Sequence, residues 1–380
     1  MPILVMLAAA VLAYYIQLWL YQKYWDKGLS VEVHFEHATA FEGEKLHLLE
    51  TVTNRKLLPL PWLSVKLHVS RHLVFGDEAN TAVSDFYYRH DVYSVVLFQQ
   101  IDRKIPFVCG RRGFYRIRSI DLLSNNAFGT GKLVDNVKCH TDLTVFPATV
   151  DMDNIQIPLK RITGNTIAQR FINPDPFEFR GIREYAPTDP IKSINFKASA
   201  KTGELMSNVY APTVSRELFV ILHVEPGTEW IGDSVIEKSI SLAGTVASRF
   251  IGEGVPVGLF CNGADVMTGE ITGVQSGSGT SHMDALYTAL ARIDLQKPVA
   301  DMAECIAEQA AKGNDDTIFI LISAFDNDDI RNAYADLRMT AFDTLWIVPT
   351  VKYLSWNEKD ITQDEDERFN EHIVKWEVER

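Results

Sequence analysis

The residues with the greatest capacity for chemistry form one run between Phe179 and Leu205, where cationic, anionic and turn-forming side chains alternate at short spacing. Its Arg and Lys side chains can pair with carboxylates nearby or on a partner. Two interpretations fit: a salt-linked hinge that locks two domains together, or a docking surface or charged pocket. The charged residues that cluster in this run are Arg183, Glu184, Lys192 and Lys197.

Local preferences predict a short helix inside this run. Asp189 is a good N-cap, and Pro190 suits the first helical position, where a backbone N–H is not needed. Gly203 would close the helix, because glycine readily adopts the left-handed conformation of a C-terminal cap. The predicted apolar face comprises Ile191, Ile194 and Ala198.

Common catalytic and nucleotide-binding motifs are absent from the sequence. No H-E-x-x-H, G-x-S-x-G or G-x-x-x-x-G-K-[ST] pattern occurs, which argues against the commonest hydrolases and P-loop proteins. The run from Gly273 to Gly279 is rich in Gly and Ser, but no Lys follows it. We interpret it as a flexible loop rather than a phosphate cradle. The prediction is a protein that is not an enzyme and has no catalytic or cofactor-binding residues.

The histidines and cysteines do not predict a metal site. The five N-terminal histidines fall on different predicted strands, with no helix to converge them, and we interpret them as solvent-facing. The cysteines lack C-x-x-C spacing and nearby His partners, so we expect reduced thiols in the core. These residues are His34, His37, His47, His68, His72, Cys109, Cys139, Cys261 and Cys305.

Length and charge bound the class of protein. At 380 residues the chain exceeds one typical core, since roughly 150 residues per domain is usual. The formal net charge of -13 repels phosphate backbones, and no segment concentrates Lys or Arg. Nucleic acid is therefore not an expected partner.

The N-terminal segment is predicted to span a membrane. No charged residue occurs from Met1 to Gln22, a length that suits roughly 30 Å of hydrocarbon. Lys23 and Lys27 follow, which by the positive-inside rule places the rest of the chain in the cytoplasm. A cleaved signal peptide, the second interpretation, would have a basic segment before its apolar run. A third interpretation is a helix buried inside a soluble protein. The expected aromatic collar comprises Tyr14, Tyr15, Trp19, Tyr21, Tyr24 and Trp25.

The remaining chain divides by hydrophobic pattern. Alternating apolar and polar residues between residues 30 and 147 predict a β-sandwich of about seven strands. After residue 215, short apolar runs alternate with helical periodicity, as in an open parallel sheet with helices on both faces. The predicted divisions are 1–27 for the anchor, 28–150 for the sandwich, 151–214 for a connecting segment and 215–380 for the α/β domain.

The run from residue 179 to 205 resembles the signature of the bacterial family called domain of unknown function 58, R-G-x-R-E-Y-x-P-G-D-x-x-R-x-I-x-W-K-A-S-A-R-x-G-x-L. A second landmark lies between Cys109 and Gly129, where Asn126-Ala127 replaces the usual Asp-Pro. The signature matches are Arg180, Gly181, Arg183, Glu184, Tyr185, Pro187, Asp189, Ile194, Lys197, Ala198, Ser199, Ala200, Gly203 and Leu205. The departures are Thr188 for Gly, Lys192 and Lys201 for Arg, and Phe196 for Trp.

The resemblance implies an architecture and partners. It implies a membrane anchor, although family members commonly have two N-terminal spans, a β-rich module and a C-terminal domain similar to von Willebrand factor A domains. It also implies a MoxR-type AAA+ ATPase as partner, and transglutaminase-like membrane proteins as neighbours. The expected role is that of a chaperone-like adaptor in the assembly of envelope or enzyme complexes.

A von Willebrand A domain binds a divalent cation through D-x-S-x-S after its first strand, helped by oxygen ligands from later loops. Here His223 replaces the Asp, and Val224 to Gly227 contain no Ser. Thr280 and Asp326 lie on candidate later loops. Two oxygen ligands make a poor cage, so we expect no metal site.

Two functions from different classes remain. The first is a membrane-tethered adaptor whose α/β domain and connecting segment engage an ATPase. The second is a structural or adhesion module whose soluble part lies outside the membrane. Co-purification of an ATPase and the side of the membrane on which the cysteines react distinguish them.

Overall fold

The chain divides into two units, Met1–Ala148 and Thr149–Arg380. The division lies beside the predicted end of the sandwich at residue 150, and the connecting segment falls within the second unit. The structure is a computed structural model. It describes all residues except 1, 77–80, 84–85, 127–128, 130, 163–173, 188, 213–215, 226–231, 298, 314–315, 352–371 and 379–380.

The first unit begins with an apolar helix, α1 (Pro2–Tyr24). From Ile3 to Tyr24 this helix is long and apolar enough to cross a membrane. Membrane anchors and signal sequences share this length and composition. The predicted apolar N-terminal helix is therefore present.

The expected aromatic collar is wrong at two positions. Tyr21 and Trp25 are 2% and 6% exposed and belong to the core of the β-sandwich. The Tyr21 hydroxyl donates a hydrogen bond to the Pro59 carbonyl at 2.8 Å. These two rings join the end of α1 to the sandwich instead of facing outward.

Ten strands complete the first unit in two sheets. One sheet has the order β1-β3-β8-β5 and the other the order β2-β10-β9-β4-β7-β6. The strands are β1 (Leu29–Phe35), β2 (Thr39–Phe41), β3 (Lys45–Asn54), β4 (Leu60–Ser70), β5 (Leu73–Phe75), β6 (Thr81–Val83), β7 (Phe86–Val95), β8 (Gln100–Cys109), β9 (Gly113–Asn125) and β10 (Lys132–Phe146).

Hydrophobic alternation positions the core between the two sheets. Leu63, Val65 and Leu67 are fully buried on β4, because side chains two residues apart point to the same face. The sandwich has ten described strands rather than the expected seven or so. Short strands such as β2 and β5 carry too few residues for their alternation to stand out in the sequence.

The second unit contains a largely parallel sheet. Its strand order is β15-β14-β13-β17-β18-β19, with β16 paired to β14. Only β15 and β16 pair antiparallel among the described strands of this sheet. The strands are β13 (Glu217–Leu222), β14 (Val257–Asp265), β15 (Ile271–Gly277), β16 (Ile293–Asp294), β17 (Thr317–Ile322), β18 (Asp343–Val351) and β19 (Ile373–Val378).

Helices pack on this sheet and supply two core clusters. One cluster includes Ile240 and Val246, and the other includes Ile306 and Leu337. The predicted open sheet with packed helices therefore agrees with the structure. The helices are α2 (156–162), α4 (Asp233–Gly252), α5 (Thr280–Ala291), α6 (Met302–Lys312) and α7 (Asp328–Thr340).

The predicted flexible loop from Gly273 to Gly279 is wrong. Most of it lies in β15, where Val274 pairs with Leu259 and Gly277 with Val257. Glycine weakens intrinsic strand preference, but the neighbouring strand supplies the hydrogen bonds. The acidic tail at 357–371 lies outside the described residues.

Candidate functional site

The signature run folds into a small hairpin with a helix. Strands β11 (Pro174–Glu184) and β12 (Met206–Pro212) pair antiparallel as a separate two-stranded sheet. Helix α3 (Phe196–Thr202) lies in the connection between them. The hairpin fixes the run at both ends, so its charged residues stand on a defined scaffold.

The helix begins later than predicted. Asn195 is its N-cap and accepts a hydrogen bond from the Ala198 N–H at 3.0 Å. Residues Ile191–Ser193 form one 3₁₀ turn, and Ile194 makes an antiparallel bridge with Ser207. Strand pairing at Ile194 prevents a helix from continuing through it. The predicted end at Gly203 is confirmed, with φ of 80°.

Asp189 closes a turn instead of capping a helix. Its carboxylate accepts a hydrogen bond from Arg183 at 2.6 Å and one from the Ala186 N–H at 3.0 Å. The Arg183 hydrogen bond, followed by that from Ala186, holds the pKa of Asp189 below its ordinary value. The Tyr185 hydroxyl donates to the Asp189 carbonyl at 3.0 Å. These signature residues thus stabilise the turn between β11 and the 3₁₀ segment.

Ser199 joins α3 to the strand that follows it. Its hydroxyl donates to the Asn195 carbonyl at 2.8 Å and accepts from the Met206 N–H at 2.9 Å. Replacement by alanine would leave both backbone groups without that link. Ser199 therefore has a structural role within the hairpin.

The other signature residues face solvent or are less constrained. Glu184, Pro187, Lys192 and Lys197 are exposed, so Lys192 and Lys197 are accessible to a partner. A side chain at Gly181 would meet no atom of the described residues within 4 Å. The backbone of Arg180 lies in β11, and its side chain is outside the described part.

Large apolar side chains on the same hairpin are also exposed. Ile191 and Phe196 are 75% and 72% exposed, values more usual for charged side chains. We call the set the signature surface. It consists of Phe179, Ile182, Ile191, Phe196 and Leu205. Sequence reasoning placed Ile191 on the apolar face of a predicted helix and did not identify this surface.

A pocket of about 350 Å³ lies at the carboxyl edge of the parallel sheet. Ligands commonly bind at this edge in open α/β sheets. Helices α6 and α7 begin there, with Asp301 and Asn327 as their side-chain N-caps. Its polar lining comprises His223, Glu225, Asn262, Asp301, Asn327 and Asp329.

His223 is held neutral in this pocket. Burial lowers the pKa of His223 to about 4. The Ser323 hydroxyl oxygen lies 2.8 Å from His223 Nδ1 and 2.9 Å from the Phe325 carbonyl oxygen, and His223 Nε2 lies 3.6 Å from a Glu225 oxygen. The lining can accept hydrogen bonds from a cationic group.

The divalent-cation site of a von Willebrand A domain does not fit these residues. No group of three His, Cys, Asp or Glu side chains in the described part is placed to hold a metal. Thr280 follows β15, which ends opposite Val257 at the amino edge of the sheet, away from His223. Asp326 lies near the carboxyl edge, but both its oxygens accept from Arg331, at 2.5 and 2.6 Å.

A second charged cluster is buried in the β-sandwich. Arg89 and Asp91 are 1% exposed and form a bidentate pair at 2.6 and 3.0 Å. Arg103 reaches Asp91 from β8 at 2.9 Å, and the Tyr93 hydroxyl donates to Glu50. Burial raises the pKa of Glu50 to about 7. No sequence pattern signalled this cluster, because its members come from β3, β7 and β8.

The predicted thiols and histidines occupy ordinary positions. None of the four cysteines, all of which are described, forms a disulfide; Cys139 is half-buried and the others are buried. His47 lies 2.8 Å from Glu36, and His68 lies 3.3 Å from Asp121, both on the sandwich surface.

Comparisons with known proteins do not assign a family. No family model and no curated protein matches the sequence. The CARDB domain of the PF1109 protein from Pyrococcus furiosus is 12% identical, with 31% of this chain and 94% of that chain covered and a TM-score of 0.22. A non-cellulosomal cohesin from Archaeoglobus fulgidus is 10% identical, covering 30% and 91%, with a TM-score of 0.21. TM-scores of this size carry no argument about the chain.

Proposed function

We propose that this protein is a membrane-anchored, non-catalytic adaptor that docks a MoxR-type AAA+ ATPase. Helix α1 is the proposed single-pass anchor in a bacterial cell membrane, with both soluble units in the cytoplasm. The proposed task is assembly of envelope or enzyme complexes, with a transglutaminase-like membrane protein as a further candidate partner. The resemblance of the signature run to the domain of unknown function 58 family supports the choice of ATPase.

The signature surface is the observation that carries the proposal. Ile191 and Phe196 expose apolar side chains on a hydrogen-bonded scaffold, with Lys192 and Lys197 exposed beside them in the chain. Exposed apolar groups with a polar rim are typical of protein interaction sites. The surface suits a partner with an apolar patch and acidic residues around it.

The α/β sheet supports the same assignment. A largely parallel sheet with packed helices is compatible with a von Willebrand A-like domain. Since the described residues do not form a cation cage, we infer that docking uses polypeptide surface rather than a metal bridge.

Co-purification in mild detergent tests the proposal. We expect the full-length protein to recover an AAA+ ATPase, and Phe196→Asp to lose most of it because a charge cannot be desolvated against an apolar patch. Met339→Asp is the matched control, since Met339 is an exposed apolar residue on α7. It should retain the ATPase.

Two results would contradict this function. If the wild-type protein recovers no ATPase, an ATPase is not its partner. If Phe196→Asp and Met339→Asp recover equal amounts of ATPase, the ATPase does not bind through the signature surface. Circular dichroism of both variants controls for folding.

A further inference from the structure

The C-terminal end of helix α1 packs directly against the β-sandwich. Tyr21 and Trp25 are buried in the sandwich core, and the Lys56 amine donates to the Trp25 carbonyl. The Arg55 N–H donates to the Gly28 carbonyl at 2.8 Å. Only residues 25–28 separate α1 from β1. If α1 crosses a bilayer, this end of the sandwich lies at the bilayer surface.

Two loops meet at this end of the sandwich. Residues 55–58 follow β3, and residues 96–98 lie between β7 and β8. Asn54 ties them together, because its side-chain amide donates to the Leu58 carbonyl at 3.0 Å and to the Val96 carbonyl at 2.9 Å. We call residues 55–58 and 96–98 the basal loops.

The basal loops carry exposed apolar side chains. Leu57 is 74% exposed and Phe98 is 65% exposed, and Val96 and Leu97 are also exposed. Phe98 has φ of 51°, and no other described non-glycine residue has a positive φ. A bulky residue in that conformation is strained. Burial in the core does not explain this strain, since Phe98 is exposed and is not part of the core cluster.

Basic and aromatic residues surround the same end. Lys23 lies 4.7 Å from the centre of the Trp19 ring, and Lys27 lies 5.2 Å from that of Tyr24. Arg55 is exposed and Lys56 is half-buried on the adjoining loop. Apolar tips with a basic and aromatic rim match the headgroup region of an anionic bilayer.

We propose that the basal loops insert into the interface of the membrane that α1 crosses, so that the sandwich is seated on the lipid surface. The inference rests on the membrane anchoring in the proposed function. The occupant is lipid rather than another protein, because these loops are continuous with the end of the spanning helix. Seating at three points, α1 and both loops, fixes the orientation of the sandwich relative to the bilayer.

Site-directed labelling of the full-length protein tests whether the basal loops insert into the membrane interface. A fluorescent maleimide is attached to Leu57→Cys, Phe98→Cys or Phe41→Cys in vesicles of phosphatidylcholine and phosphatidylglycerol. Spin-labelled lipid then quenches any probe within the bilayer. Phe41 is the matched control, because it is an exposed Phe on β2, whose partner Phe146 ends β10 at the other end of the sandwich. Wild-type protein carried through the labelling measures reaction at the native cysteines.

We expect quenching at positions 57 and 98 and none at 41, with weaker quenching when phosphatidylglycerol is omitted. Vesicle flotation of the same samples separates the two proposals. If the protein floats but shows no quenching at positions 57 and 98, loop insertion is wrong and membrane anchoring by α1 stands. If the protein fails to float, both loop insertion and anchoring are wrong. Equal quenching at position 41 would indicate adsorption without a defined orientation and would also contradict loop insertion.

Discussion

Glu50 lies in the interior of the β-sandwich, where its pKa is raised to about 7, first by burial and then by the neighbouring Asp91 charge. One carboxylate oxygen accepts from the Tyr93 hydroxyl, and the other, Oε1, has no hydrogen-bond partner among the residues that the structure describes. The folded protein therefore favours the protonated carboxyl, whereas an unfolded Glu ionises near its ordinary value. The stabilisation from this group is complete below about pH 4.5 and is lost as the pH rises through 7.

Replacing Glu50 with Gln should remove this pH dependence. Because Gln stays neutral, Glu50→Gln should gain stability relative to wild type as the pH rises from 5 to 8, by on the order of 3 kcal/mol. Chemical denaturation followed at several pH values measures the difference. Glu32→Gln, at an exposed strand position, is the control and should follow wild type. If the free energy of unfolding changes with pH in the same way for wild type and Glu50→Gln, Glu50 is ionised in the folded protein and the prediction is wrong.

At the scale of elements, helix α3 shows how strand pairing displaces a local preference. The Asp-Pro pair at 189–190 is a good helix start, yet the Ile194 bridge to Ser207 holds the chain extended until Asn195. The start was misplaced because the competing hydrogen bonds come from β12. The end was placed correctly because the left-handed conformation at Gly203 is a local property of glycine.

Two variants distinguish Asn195 from Asp189 as the cap of α3. Asn195→Ala should cost about 1 kcal/mol of local stability, the usual value for a lost N-cap, and should speed amide hydrogen exchange at residues 198–202. Asp189→Ala should loosen the turn at residues 183–189 and leave exchange in α3 nearly unchanged. If Asp189→Ala speeds amide hydrogen exchange in α3 and Asn195→Ala does not, Asn195 is not the N-cap of α3.

At the scale of the whole molecule, the two units differ in how the sequence encodes them. The α/β unit has short, unbroken apolar runs such as Ile318–Ile322, which are buried on both faces. Their pattern predicts the parallel sheet. The sandwich depends on strand pairs distant in sequence, and its shortest strands escape pattern analysis. The N-terminal helix is evident from composition alone.

The side of the membrane on which the soluble units lie is testable with one exposed thiol. Met339 is 88% exposed on α7, whereas Cys261 is fully buried and unsuited to this assay. We expect Met339→Cys to resist a membrane-impermeant maleimide in spheroplasts and to react after lysis, because the proposed orientation, based on Lys23 and Lys27 and the positive-inside rule, keeps the following chain in the cytoplasm. Wild-type protein controls for Cys139. Labelling before lysis would instead favour the structural or adhesion module outside the membrane.

The sequence by itself determined the apolar helix, the alternating β-rich region, the parallel strands and the glycine that ends α3. Each of these follows from composition or from periodicity within a short window. Tertiary structure alone decided which polar groups meet. It placed Thr280 at the opposite edge from His223, brought Glu50 beside Tyr93, and joined the basal loops through Asn54. These contacts join residues far apart in the chain, so no local pattern could encode them.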